Sequence, residues 1–472
     1  MTVEDAEVQE DYVLGRVVML AAVAALGGFL FGFDTAVING AVNAVGDEFD
    51  LAPGPKGFVV ASALLGCAVG AYLAGRLADR IGRIKVMVIA AAMFFVCAIG
   101  SAFAFSAWDL TFWRIIGGLG VGAASVIAPA YIAETSPAVL RGRMGSLQQL
   151  AIVTGIFVAL LSDALWAHIA GGASEQLWWG MDAWRWMFLV GVVPAVLYGA
   201  MALTIPESPR HLMAKGQTEK ARAVLRQVMR TGVGARIDEI RRTIEIDRRS
   251  SFSDIRKKGS GLLPIVWVGI ALSVFQQFVG INVIFYYSSA LWQQVGFTEA
   301  DALKQTVITS VTNIVVTLVA IALVDRIGRK LLLVIGSSGM FVTLGTLAIV
   351  FATAPTKLNA DGHMEPVLSS GGGMTALIAA NLFVVFFGVS WGPVVWVLLG
   401  EMFNNRIRAT ALGVAAGAQW IANFAISTSF PKMADIGLGF AYGFYTVFAL
   451  LSLGFVLKFV QETKGRQLED MA

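Results

Sequence analysis

Three amides stand close together in one apolar stretch, Gln276-Gln277-Phe278-Val279-Gly280-Ile281-Asn282-Val283-Ile284-Phe285-Tyr286-Tyr287. An amide in hydrocarbon is costly unless it finds a partner, so such a cluster is expected to face the interior of a helix bundle or a water-filled cavity. Gln276, Gln277 and Asn282 together offer donors and acceptors. A neutral polyhydroxylated ligand needs both, because each hydroxyl gives and accepts a hydrogen bond. The alternative is hydrogen-bonded glue between packed helices. Further polar or amphipathic residues punctuate other apolar runs: Gln149, Asn313, Trp391, Trp396, Gln419, Trp420 and Asn423. An indole beside amides suits a ring whose C–H face stacks while its hydroxyls hydrogen-bond, although a lone Trp more often faces lipid or packs. Trp396 is preferred because Gly392-Pro393 precedes it, a helix-breaking pair that exposes backbone.

Two ionisable residues are placed to handle a proton. Asp34 is the acid well inside the first apolar run, roughly a dozen residues, or ~18 Å of helix, before the acidic turn at Asp47. Arg114 lies about six residues into the fourth run, which enters from the same side. Ionisable groups at such depth read as functional. Burial favours the neutral form of a carboxyl and a nearby guanidinium the charged one, so movement of Arg114 relative to Asp34 would couple proton binding to conformation. A static buried ion pair is the alternative. A second set of charges sits at the ends of apolar runs: Asp79, Arg80 and Arg83 with Glu134 and Arg141, and Asp325, Arg326 and Arg329 with Glu401 and Arg408. Single exposed pairs contribute ~0–1 kcal/mol, so the expectation is a network that bridges helices in one conformation and breaks in another. Positively charged anchors alone would explain the Arg residues but not the matching acids.

The elements that hold these residues must be membrane helices. Of the 472 residues, 57% are hydrophobic and only 14% charged, and the mean hydropathy is +0.73. Twelve apolar runs are each able to cross a core of ~30 Å: 17–45, 57–75, 86–105, 109–133, 144–167, 185–205, 262–295, 304–324, 331–353, 374–400, 409–430 and 440–460. An even count puts both termini on one face. The connectors of that face carry Arg76, Arg80, Arg83, Lys85, Arg141, Arg143, Arg326, Arg329, Lys330, Arg406, Arg408, Lys464 and Arg466, whereas the opposite ones carry Asp47, Glu48, Asp50 and Gly/Ser-rich loops near 170–176 and 368–373. Positive residues stay inside, so both termini are expected in the cytoplasm. Met1 to Tyr12 is acidic, unlike a signal peptide, so the first run remains a membrane helix. From Pro206 to about Gly261 the chain turns polar, with amphipathic helices expected at Glu219–Val228 and Ile237–Ile246.

The halves repeat. Asp79-Arg80-Ile-Gly82-Arg83 recurs as Asp325-Arg326-Ile-Gly328-Arg329, Glu134…Arg141 as Glu401…Arg408, Pro206-Glu207-Ser208 as the segment at Glu462-Thr463, and Phe31-Gly32-Phe33-Asp34 as Val279-Gly280-Ile281-Asn282. Four echoes at a spacing of roughly 250 residues argue that six spans were duplicated, with a pathway between the two bundles. The expected fold is therefore an all-α polytopic membrane protein of twelve transmembrane helices in two six-helix bundles. Its parts are an N-terminal tail (1–16), a first bundle (17–205), a cytoplasmic helical insert (206–261), a second bundle (262–460) and a C-terminal tail (461–472).

Other classes find little support. A net charge of +3, dispersed, implies no nucleic-acid partner. Cys67 and Cys97 lie inside apolar runs as packing residues, and His168, His211 and His363 stand singly in or near connectors without metal-ligand spacing, so no metal or membrane-bound enzyme is expected. A sensor would append a long signalling tail, and here about ten residues follow the last run.

The motifs taken in order resemble the sugar porter family of the major facilitator superfamily: Gly75–Arg83, Arg114-Ile-Ile-Gly-Gly, Glu134…Arg141-Gly-Arg143, Pro206-Glu-Ser-Pro-Arg210, Gln276-Gln277…Asn282…Tyr286-Tyr287, Asp325–Lys330, Gly392-Pro…Trp396…Glu401 and Glu462-Thr-Lys-Gly465. The resemblance implies alternating access of two halves around a central sugar site. It places sugar contacts at Gln149, Gln276, Gln277, Asn282, Asn313, Trp396 and Gln419, with Phe31 and Phe387 as neighbours. Bacterial proton-coupled members carry Asp where this chain has Asp34, which implies a proton–sugar symporter. Ile156 stands where xylose permeases of this type carry a polar side chain, which favours glucose. A uniporter, or a symporter of xylose, galactose, arabinose or inositol, is the alternative. The family further implies a monomer in a cell membrane, with no cofactor and a cytoplasmic helical domain over residues 206–261.

Overall fold

The computed structural model describes residues 12–247, 252–256, 261–358, 364–403 and 407–463. The first eleven residues, Arg406, His363 and the tail from Lys464 lie outside these, as do the side chains of Arg141, Arg143, Asp325 and Arg408. Among the described residues eleven helices are long and apolar enough to cross a membrane: Leu14–Glu48, Pro53–Ile81, Arg83–Ala102, Ala107–Thr135, Met144–Ala170, Ala183–Ala202, Pro264–Gln294, Glu299–Leu323, Arg329–Ala352, Ser370–Glu401 and Leu438–Phe459. The run expected at 409–430 is also one helix, Arg408–Ile436, of 29 residues. Gln419, Asn423, Ser427 and their small neighbours dilute its apolarity, so it has the length of a span without the average composition. Numbered in chain order it is the eleventh of twelve spans, and the protein is an all-α multi-pass membrane protein. A short antiparallel hairpin, Thr356–Leu358 with Met364–Pro366, decorates one connector.

Several spans are broken. The first divides at Val37 into Leu14–Ala36 and Ile38–Glu48, and its repeat partner, the seventh, divides at Val279-Gly280 into Pro264–Phe278 and Ile281–Gln294. Gly280 has φ +83°, and a Cβ there would stand 2.7 Å from the ring of Tyr445, so only glycine makes this turn. The tenth span divides at Val389-Ser390 into Ser370–Gly388 and Trp391–Glu401. The expected break at Gly392-Pro393 is corrected accordingly. Pro393 falls in the first turn of the restarted helix, where its missing N–H would have had no helical partner anyway.

In lipid, helices associate by close packing rather than by a hydrophobic drive, and small residues permit it. A Cβ on Gly32 would collide with the carbonyl of Ile152, and one on Gly155 with that of Phe29, so the first and fifth spans meet backbone to backbone. The halves meet chiefly through the second span against the eleventh and the fifth against the eighth, two interfaces that the internal repeat maps onto one another. The hydrogen bonds between halves that join described residues all lie toward the face opposite the termini. Asn39, fully buried, donates to Phe285 O and Ser288 Oγ (both 2.9 Å) and accepts from Ser289 N (3.1 Å). Asn43 bonds Gln293 at 3.3 Å, and Glu299 accepts from Ala173 N at 2.8 Å. That face is closed.

The insert forms helices Pro209–Ala214, Thr218–Val228 and Val233–Asp247, close to those expected. It is tied to the start of the first span by Val13 N to Val228 O (3.0 Å) and Arg16 Nη2 to Gln227 Oε1 (2.7 Å).

Candidate functional site

The three clustered amides form a chain. Asn282 Nδ2 donates to Gln277 Oε1 (2.5 Å), Gln277 Nε2 to Gln276 Oε1 (3.3 Å), and Gln276 Nε2 to the carbonyls of Trp391 (2.8 Å) and Gly392 (3.3 Å). The chain thus links the break of the seventh span to that of the tenth. Part of the glue alternative holds for Gln276 and Gln277, which are buried and employed between helices. Asn282 is half-buried and ends the chain with its carbonyl oxygen open to a ligand hydroxyl.

The other amides lie on the fifth, eighth and eleventh spans. Asn313 is buried on the eighth, its Oδ1 3.7 Å from where a Cβ of Gly388 on the tenth would stand. Gln419, half-buried on the eleventh, presents a buried Oε1 without a partner. Gln149 is half-buried on the fifth, beside a residue that sequence reading passed over: Gln148 packs against Gly28 with its Oε1 unpartnered. The two indoles of the tenth span differ in their surroundings. Trp391 is fully buried and donates to Ser337 Oγ (2.9 Å), whereas Trp396 is 42% exposed. Phe31 reaches across the halves to Trp420, ring centroids 5.5 Å apart, and Phe387 is buried.

Asp34 and Arg114 are buried on adjacent spans, the first and fourth, but no nitrogen and oxygen of the two approach within 4.0 Å. The static ion pair is therefore set aside. Asp34 Oδ1 receives only a weak contact from Cys97 Sγ at 3.9 Å, and Oδ2 has no partner. Arg114 donates from Nη2 to Val60 O (3.2 Å) and lies 5.9 Å from the Phe188 ring centroid, with Nε and Nη1 unpartnered. A carboxyl and a guanidinium buried on adjacent spans with no hydrogen bond between them respond strongly to small displacements.

Two charge networks occupy the terminus-bearing face, one per half. Arg83 grips Glu134 through Nε (3.0 Å) and Nη2 (2.9 Å) and also reaches Asp79 (3.1 Å). Arg329 grips Glu401 in the same way at 3.2 and 2.9 Å. Arg80 and Arg326 are exposed. Sequence reading missed what completes each network. Glu207 accepts from the backbone N–H groups of Arg83 (3.0 Å) and Ile84 (3.3 Å), and Glu462 from those of Arg329 and Lys330 (both 3.0 Å), so each carboxylate caps the start of a span from a distant segment. The hydroxyl of the next residue then binds the gripped acid: Ser208 to Glu134, and Thr463 Oγ1 to Glu401 at 2.5 Å. Their matching places in the repeat were the available signal. His211 sits against Arg83 Nη1 at 3.3 Å, and burial lowers its proton affinity below that of an ordinary imidazole.

The model of the "Sugar (and other) transporter" family matches residues 20–472. The chain is 59% identical over 457 residues to the glucose transport protein of Synechocystis, covering 96% of this chain and 97% of that one. It is 38% identical to the D-xylose-proton symporter of Escherichia coli K12, with coverage of 96% and 94%. Among solved structures, the xylose transporter XylE of E. coli in a partially occluded inward-open conformation superimposes with a TM-score of 0.82 at 36% identity, covering 96% of this chain and 100% of that one.

Proposed function

The chain belongs to the Sugar (and other) transporter family, and from that premise we propose that it imports a hexose, glucose before other sugars, together with protons by alternating access of its two halves. The observation that carries proton coupling is the unbonded approach of Asp34 and Arg114, with Asp34 Oδ2 and Arg114 Nε and Nη1 buried and unpartnered. Such a pair can hold a proton in one conformation and an ionic contact in the other. Sugar would enter between the breaks of the seventh and tenth spans, held by Gln149, Gln276, Gln277, Asn282, Asn313, Trp396 and Gln419. Glucose is favoured by the name of the 59% identical relative and by apolar Ile156; relatives named for xylose and arabinose make those pentoses the competing substrates.

The networks of Asp79, Arg83, Glu134 and Arg329, Glu401, with Arg80, Arg141, Asp325, Arg326 and Arg408 nearby in sequence, would brace the helix ends of their own half at the terminus-bearing face in one state and give way in the other. The tails 1–16 and 461–472 and the insert 206–261 would lie in the cytoplasm, with bundles 17–205 and 262–460 acting as a monomer in the cell membrane. Labelled-glucose counterflow and net uptake in proteoliposomes test this, with and without an imposed proton gradient. The parent is expected to concentrate glucose, and Asp34→Asn to exchange it without concentrating it. A parent that only equilibrates glucose is a uniporter, with Asp34 structural; one that exchanges none has another substrate.

A further inference from the structure

Asp163 is a buried carboxyl to which nothing above gives a role. It lies on the fifth span about two turns before that helix ends at the face opposite the termini, and it is 0% exposed. Its Oδ2 accepts from the backbone N–H of Gly40 at 3.2 Å, and its Oδ1 has no partner. Gly40 stands in the first turn of Ile38–Glu48, the half-helix that restarts after Val37, and no side chain of that segment caps its start. Asp163 supplies the cap from a neighbouring helix. The fit is tight, because a Cβ on Gly40 would stand 2.5 Å from the Asp163 Cβ and 2.8 Å from its Cγ. The residue beside Gly40 is Asn39, whose bonds to Phe285, Ser288 and Ser289 keep this face closed.

No cation lies within ion-pair distance of Asp163 among the described residues. The charged and titratable groups toward this end of the surrounding elements include His168 on its own helix, Asp34, Asp47 and Glu48 on the first span, Lys56 on the second, Asp109 and Arg114 on the fourth, Arg185 on the sixth, Tyr286 and Tyr287 on the seventh, and Glu299, Asp301 and Lys304 on the eighth. Several are engaged elsewhere: Arg185 with Glu48 at 2.5 Å, Lys56 with Asn43 at 2.9 Å, and Lys304 with Asp301 at 3.2 Å. A carboxyl enclosed in this way, with one hydrogen bond and no counter-charge, is stable as the neutral acid, and it ionises when water reaches it.

On the reading of this chain as a transporter, we propose that Asp163 is a second proton-binding residue, separate from Asp34, that takes a proton from water at the face opposite the termini as that face closes and returns it as the face opens. Acidity on that side then drives closure without contact between Asp163 and sugar.

The test uses the full chain in lipid nanodiscs carrying Asp34→Asn, which removes the other carboxyl. Amide hydrogen exchange of residues 38–48 is followed against pH and corrected for the intrinsic rate. Exchange is expected to slow as pH falls, by up to about tenfold per unit, the limit for one linked proton. Adding Asp163→Asn flattens the profile, and Asp163→Glu in its place restores a slope. A flat profile in Asp34→Asn alone overturns the proposal without any change at Asp163, and so does an unchanged slope after Asp163→Asn, which would assign the proton to His168 or another group. Glucose counterflow of the parent keeps the two readings apart. A slope with no counterflow sinks the glucose reading and leaves the proton site standing, whereas counterflow with a flat profile sinks only the proton site.

Discussion

At the scale of single residues, the amide chain from Asn282 to the Trp391 carbonyl explains how polar groups survive in hydrocarbon. Each inner member is satisfied by its neighbour, and the outermost keeps an open acceptor. Asn282→Ala is expected to raise the KM of glucose counterflow about five- to tenfold, the value of one or two neutral hydrogen bonds, with Vmax changed less. Gln276→Ala should be harsher, lowering the amount of folded protein recovered, because it strands the buried Gln277 amide and removes the link to the tenth span. His211 supplies a pH effect. It binds a proton less readily folded than unfolded, so its contribution to stability is present above the ordinary imidazole value of 6.5 and lost as pH drops below it. His211→Gln should remove that part of the acid sensitivity in thermal unfolding measured at pH 5 and 7.5.

At the scale of elements, breaks and caps do what long apolar helices cannot. Interrupted spans expose backbone groups at the level of the amides, and the restarts need capping from elsewhere in the chain. Glu207 and Glu462 cap the third and ninth spans across more than a hundred residues of sequence. Glu207→Gln and Glu462→Gln should each cost about 0.5–2 kcal/mol of stability, the range for a lost helix cap, visible as a lower melting temperature in detergent. A double substitution should cost close to the sum, because the two networks occupy different halves. Gly32→Val should prevent folding, since the first and fifth spans meet where that side chain would stand.

At the scale of the whole molecule, the closed face rests on few bonds. Asn39 ties the restarted halves of the first and seventh spans together through four polar atoms. Its loss should let that face open while each half stays intact. Spin labels at positions 43 and 293 are expected to show a longer-distance population in Asn39→Ala than in the parent, and an unchanged distribution would place the closing energy elsewhere. The interfaces between second and eleventh spans and between fifth and eighth are the surfaces on which such rocking must occur.

The sequence by itself determined the twelve spans, their internal repeat and the polar residues of the candidate site, because hydropathy, charge at helix ends and repeated motifs are local properties that lipid enforces on every segment. It marked Gln276, Gln277 and Asn282 because amides are rare in such surroundings. It placed the tenth-span break a few residues late, since Gly-Pro marks a place where a helix can begin as well as end. Only the tertiary structure decided that the amides bond to one another, that Trp391 is packed away while Trp396 is open, and that Asp34 and Arg114 approach without pairing. It also revealed Asp163 beneath Gly40, and Glu207 and Glu462 as caps. Those facts depend on which residues of distant spans come to lie at the same depth, and depth and rotation are fixed by how backbones pack against one another, which no single segment encodes.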